Sequence, residues 1–311
     1  MLYKYFIIPV TILFIILCVF VFYLQFINEN WKFIAPKKIL PDICNDNNSL
    51  ELITHSTDYI KGRSFIDNLD QFIGYQFHSI YLLPCDKNDR KFDTNLNIQS
   101  SLISINKWFK NKTKDQKINF DKKSDDFFDV TFLRVNKTVN WFTSDDNEDV
   151  GTKIENIILS NSNIFNNFNK KKFIVFFEGW AKRKSFYFDI CGQSRLNGKV
   201  AIFFTNSKWK KDIGNKKMFS CSKDSLNDLG EDKFGESEGT ILHEILHTLG
   251  APPQCAKNLD TDDLFHVIDN KNDILYKISG DMYLDYDNDD YYKHGIKNCP
   301  DLAKSKYLVK F

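Results

Sequence analysis

Two short stretches, Phe173–Phe177 (FIVFF) and Val200–Phe204 (VAIFF), contain no polar residue. A strand with one solvated face alternates apolar and polar residues, so an unbroken apolar run of this length implies a strand covered on both faces. Such strands belong to a layered fold with helices on either side of a sheet. The flanking sequence supplies both kinds of element. Ile73–Leu83 and Val130–Val135 predict further strands, Ile98–Phe109 predicts a helix that places Ile98, Leu102, Ile105 and Phe109 on one face, and 150–168 carries a helical pattern through Ile154, Ile157, Ile158 and Ile164. Strands alternating with helices predict an α/β (α+β) domain with a mixed sheet.

The most informative stretch is Thr240–Gly250, TILHEILHTLG. On a helical projection Ile241, Leu242, Ile245, Leu246 and Leu249 fall in a stripe roughly 140° wide, and His243 and His247 sit about 40° apart on the other side. Ser237 or Thr240 is the expected cap at the start. Gly250, followed by Pro252 and Pro253, is the expected left-handed stop. Histidines at i and i+4 are neighbours on successive turns, and neutral imidazole is a preferred zinc ligand. Glu244 stands beside the first histidine, where it can hold the water of an open metal position. The chemistry this pattern serves is metal-assisted hydrolysis, with Zn2+ as the cofactor and Glu244 as general base.

A catalytic zinc needs one more protein ligand. A third histidine three residues after the glycine is excluded because that position is Pro253, and no glutamate follows Glu244. His266, His294 and the aspartates Asp260, Asp262 and Asp263 remain. The region from His243 to Tyr276 resembles the zincin-like metallopeptidases of the metzincin type, with a loop bearing Cys255 inserted after the glycine. The resemblance implies that His266 is the third ligand and that HVIDNKNDILY contains the turn usually built on methionine, with Leu275 in its place. It also implies that a peptide substrate lies along an edge strand, Val200–Phe204 or its neighbour. Asp285, Asp287 and Asp289 imitate the start of a calcium loop, but Asp290 and Ile296 stand where such a loop needs Gly and Glu, so a solvated acidic loop is expected.

The remaining features concern placement. Tyr5–Ile27 carries no charge and exceeds the roughly 20 apolar residues that span a bilayer, so 1–4 is a short tail and 5–27 a transmembrane signal anchor. Residues 28–70 are polar and aperiodic, the expected stalk and domain edge, and 71–311 is the expected metallopeptidase-like domain. Flanking lysines alone would keep that domain inside, but large domains translocate largely regardless of charge. Six cysteines outside the span, with no Cys-x-x-Cys pair, suggest three disulfides and hence an extracytoplasmic domain; fifteen pairings are open, among them the neighbouring one of 44 with 85, 191 with 221 and 255 with 299. Forty-two basic against 41 acidic residues give a net charge of +1 with no basic block, so no nucleic-acid partner is expected. The expected function is a membrane-anchored zinc peptidase acting on a peptide or protein substrate. The alternatives are a non-catalytic binding or adhesion module with structural zinc, closed by a fourth ligand such as Asp263, and a hydrolase of a non-peptide amide.

Overall fold

The computed structural model describes residues 44–47, 49–72, 74–125, 127–144, 148–182, 189–206, 226–277 and 281–310. All belong to one compact unit, Ile43–Phe311. The expected span at 5–27 lies outside the described residues, and among those no helix is long and apolar enough to cross a membrane.

In chain order the elements are β1 (Leu52–Ile53), β2 (Gln76–Pro84), α1 (Asn97–Thr113), β3 (Gln116–Ile118), β4 (Lys122–Ser124), β5 (Phe127–Phe128) and β6 (Val130–Val135). There follow α2 (Val139–Thr143), α3 (Val150–Ser160), β7 (Lys171–Phe177), β8 (Ala181–Lys182), β9 (Asp189–Ile190), β10 (Gly192–Ser194), β11 (Val200–Phe204), α4 (Glu236–Thr248) and β12 (Leu308–Lys310). The main sheet has the order β1-β6-β2-β7-β11-β10. Its four inner strands are mutually parallel, and β1 and β10 flank them antiparallel. The fold is thus a mixed α/β layer structure with a mixed sheet.

The all-apolar strands are explained by what covers them. Ile174, Phe176, Ala201 and Phe203 point into a core shared with Ile98, Leu102 and Ile105 of α1 and Ile241, Leu242, Ile245 and Leu246 of α4. Their sequence neighbours Phe173, Val175, Phe177, Val200, Ile202 and Phe204 point the other way, against Ile154, Ile157 and Ile158 of α3. Alternate side chains serve opposite faces, so both registers must be apolar. Each such burial is worth roughly 1.5–3 kcal/mol before the entropy of ordering the chain is charged against it. The helical pattern expected across 150–168 ends at Ser160, and two short 3-10 turns, Ser162–Ile164 and Phe168–Lys170, complete the stretch.

The segment read as stalk and domain edge up to residue 70 is, in its described part, built into the domain. β1 pairs with β6, Cys44 is bonded to Cys85, and Arg134 Nη2 donates to Asp58 Oδ1 at 2.6 Å in a buried pair. Asp67, 3% exposed, belongs to a buried charge cluster at the start of the parallel strands. The Lys171 ammonium donates to Asp67, to Asp70 at 2.6 Å and to Asp121 at 2.6 Å. His78 places Nδ1 2.8 Å from Asp121 and Nε2 2.8 Å from Thr131 Oγ1. The expected domain start at 71 therefore falls inside the domain, because buried charges on 58–70 are neutralised only by strands further along the chain.

Candidate metal centre

Helix α4 begins four residues earlier than the motif, at Glu236. Its N-cap is Gly235, whose N–H donates to Glu238 Oε2 at 3.1 Å. Ser237 and Thr240, the expected caps, lie inside the helix. Glu236 and Glu238 put negative charge at the positive end of the helix dipole, and Ser101 Oγ of α1 donates to Glu238 Oε1 at 2.6 Å. The C-terminal stop is Gly250, as expected, with φ of 87°. A Cβ there would stand 2.4 Å from Asn197 Oδ1, so both backbone conformation and close approach require glycine. Asn197 N in turn donates to His247 O at 2.9 Å, tying the helix end to the β10–β11 connection.

The helix was expected to expose its imidazole face. Instead His243, Glu244 and His247 are 6%, 8% and 3% exposed, because the chain beyond Gly250 folds back over the two histidines and β10 covers the glutamate. That return brings in His266. Its ring centroid is 5.3 Å from that of His243 and 5.6 Å from that of His247, and a ligand atom from each of the three rings lies within 4.8 Å of the others. Two of the rings engage a protein oxygen through Nδ1, His243 at 2.6 Å to Ile274 O and His247 at 2.8 Å to Ala251 O, while His266 Nδ1 stands 3.2 Å from Asp263 Oδ2 without hydrogen-bond geometry. The Nε2 atoms of His243 and His247 face each other 2.9 Å apart. Burial, the largest cause, and the neighbouring imidazoles hold His243 well below the usual histidine range, and burial brings His247 down to about 4. Neutral imidazoles are what a divalent ion requires.

The other sequence candidates go elsewhere. Asp263 joins the cluster as the partner of His266, and Asp260 Oδ1 accepts from the backbone of Asp262 at 2.9 Å and Asp263 at 3.3 Å. His294 places Nε2 3.0 Å from Pro300 O and accepts from Ile296 N on Nδ1. Leu275 is fully buried in the core below the histidines, and Asp273 organises its turn, accepting from Leu275 N at 2.7 Å, Tyr291 Oη at 2.7 Å and Tyr286 N at 2.8 Å.

Glu244 is not part of the three-histidine group. Its carboxylate lies against β10, where Ser194 Oγ donates to Oε2 at 2.6 Å. Burial pushes the Glu244 carboxyl up to about 7 against the opposing pull of that hydrogen bond. Neither Ser194 nor Asp273 was singled out from the sequence. GQS in β10 has no strand signature, and an aspartate in an Asn- and Asp-rich stretch carries no mark of burial. Of the two expected positions for an edge strand, β11 is interior and its neighbour β10 is the edge.

Two further groups among the described residues bring potential ligand atoms together: Asp67, His78, Asp121 and Asp129, and Asp269, Asp289 and Asp290. In the first, Asp67 and Asp121 already accept from the Lys171 ammonium. The loop of the second corrects the expectation of a solvated acidic loop. Asp285, 3% exposed, accepts backbone N–H bonds from Asp289, Asp290, Tyr291 and Tyr292, so it is an internal anchor of the loop.

Two of the three expected disulfides are present, Cys44–Cys85 and Cys255–Cys299. Cys191 is also disulfide-bonded, and Cys221 lies outside the described residues.

No family model matches the chain, and no curated protein matches it. Among solved structures it is similar to catalytically inactive OgpA from Akkermansia muciniphila in complex with an O-glycopeptide (glycodrosocin) substrate, at 11% identity and a TM-score of 0.32 over 68% of this chain and 52% of that one. Wild-type OgpA in two crystal forms gives 12% identity and a TM-score of 0.33 over 68% of this chain and 53% of the other. The chain spans about half the length of these structures, and likeness at this level defines no family for it.

Proposed function

We propose that this chain is a zinc-dependent metallopeptidase with a zincin-like domain, holding the ion through Nε2 of His243, His247 and His266 and using Glu244 as general base. The observation that carries the proposal is the convergence of three imidazoles, two of which, His243 and His247, bond a backbone carbonyl through Nδ1. Such outer partners fix ring tautomer and orientation and leave Nε2 for the metal. A structural zinc site is closed by four protein ligands, and this group contains three among the described residues, so a position is left for water or substrate.

Zinc, when bound, supplies Lewis acidity: it makes a water acidic near neutral pH and polarises the scissile carbonyl. The protein's own residues do the rest. Glu244 accepts the proton as the water oxygen attacks the carbonyl carbon, then delivers it to the amide nitrogen as the C–N bond breaks, so the amine leaves neutral. β10, as the sheet edge, offers main-chain groups for an extended peptide, the geometry of strand addition. The disulfides support placement of the domain in an oxidising, extracytoplasmic space, and the anchor at 5–27 rests on the uncharged run of the sequence.

The test is metal analysis of the purified chain and its variants beside digestion of a mixed peptide library. Wild type is expected to hold one zinc per chain and cleave peptides, and His243→Ala, His247→Ala and His266→Ala to lose stoichiometric zinc. Full zinc content in His266→Ala would remove it as a ligand. A zinc-loaded wild type that cleaves no peptide would defeat the peptidase assignment.

A further inference from the structure

Glu244 is a long side chain whose carboxylate, among the described residues, has one hydrogen-bond partner, and that partner lies on a different element. Ser194 Oγ of β10 donates to Glu244 Oε2 at 2.6 Å. The strand also walls the carboxylate in. A Cβ on Gly192 would stand 2.6 Å from Glu244 Cγ and 2.7 Å from Oε1, so Gly192 lets the glutamate lie flat against the strand while Ser194 fixes its tip.

The register of β10 is carried by its ladder with β11, where Gly192 pairs with Phe203 and Ser194 with Ala201. Gly192 and Ser194 face α4, whereas the intervening Gln193 and the following Arg195 face α3, where the Gln193 amide packs against Gly151 and Arg195 Nη2 donates to Thr152 Oγ1 at 2.6 Å. A slip of one residue would exchange the two sets. The ladder with β11 therefore decides which residue meets Glu244, and the α3 contacts agree with it.

We infer that Ser194 is the positioning residue for Glu244: one hydroxyl on the edge strand sets where the carboxylate stands relative to the three histidines. This role rests on the peptidase function proposed above, since it assigns the hydroxyl to the base of that reaction. Without the hydroxyl the carboxylate is still walled in by β10, but no hydrogen bond fixes its tip. A misplacement of about 1 Å at a reacting group costs on the order of a hundredfold in rate.

The experiment uses the full chain, zinc-loaded, and one quenched-fluorescent peptide chosen as the best-cleaved member of a mixed-sequence library. Ser194→Ala is expected to hold stoichiometric zinc, to lower kcat about a hundredfold and to leave KM unchanged, the pattern of an interaction that matters in the transition state. Ser194→Thr keeps a hydroxyl on the same strand face and is expected to restore kcat. Crystal structures of the same variants give a readout independent of turnover: the Glu244 carboxylate should be displaced in Ser194→Ala and superpose on wild type in Ser194→Thr. Should Ser194→Ala fail to fold, Gly192→Ala crowds the carboxylate from the other side and is expected to give the same loss of kcat. Wild-type kcat in whichever variant folds, or a raised KM with unchanged kcat, overturns the role of Ser194 while leaving the peptidase function intact. A wild-type chain that binds no zinc overturns both.

Discussion

The phenolic hydroxyl of Tyr291 donates to Asp273 Oδ1 at 2.7 Å, and through that bond the acidic segment near the C-terminus holds the turn beneath the candidate metal centre. The same hydroxyl accepts from Asp285 N at 2.7 Å, and Asp273 in turn anchors Leu275 N, next to the Ile274 carbonyl that faces His243.

Removing that hydroxyl should be felt at the histidines. Tyr291→Phe leaves Asp273 short of a donor and Asp285 N short of an acceptor, at a cost of about 1–3 kcal/mol in chemical denaturation. Burial, the largest cause, pushes the Asp273 carboxyl from 3.8 up to about 7 against its three hydrogen bonds. An acid whose pKa is raised by folding favours the folded state fully below its unfolded pKa and loses that contribution as pH climbs through the folded one. The Asp273 share of stability should therefore decline between about pH 4 and pH 7. Melting temperatures of Asp273→Asn across that range, taken as differences from wild type, should rise with pH. A flat difference would place the Asp273 titration elsewhere.

Glu244→Ala deletes the base and no ligand. Zinc content should stay stoichiometric while kcat falls by roughly 10²–10⁴-fold, the range for loss of a general base. Steady-state kinetics beside metal analysis checks both halves, and retained turnover would contradict the proposed role.

Lys171 is the cation around which Asp67, Asp70 and Asp121 are buried. Lys171→Met fills similar volume but leaves the carboxylates uncompensated, and breaking a buried pair in this way costs about 3–5 kcal/mol. Urea denaturation should show that loss. A variant as stable as wild type would mean that the carboxylates take up protons at little cost.

Cys255–Cys299 closes a loop spanning 44 positions that carries His266 and the turn under His243. Cys299→Ser should lower stability by about 2–4 kcal/mol, mainly by freeing the unfolded chain. Zinc affinity should drop with it, read by competition with a chelator. An unchanged affinity would show that the loop is held by its buried contacts alone.

Much of the scaffold was legible in the sequence. Val130–Val135 and Val200–Phe204 are strands at the predicted limits, and α1 carries the predicted apolar face. The motif helix stops at Gly250 as expected, and two cysteine pairs are neighbours in sequence order, an arrangement the sequence left open among fifteen. These features are periodic or chemically distinctive, so burial and backbone geometry leave their mark on residue type. The helix start was misread because its cap is the backbone N–H of Gly235 held by Glu238, a pairing that the serine and threonine nearby disguise.

What the sequence by itself determined is the pair of histidines on successive turns, the glutamate beside them and the core that the helix must join. Their spacing follows from helical geometry, which needs no distant partner. What tertiary structure alone decided is that His266 reaches the pair across an intervening loop, that Asp263 stands behind it, and that β10, with no apolar signal of its own, places Ser194 on Glu244. Those contacts depend on strand register and on the path of a returning loop, both fixed by packing many residues away.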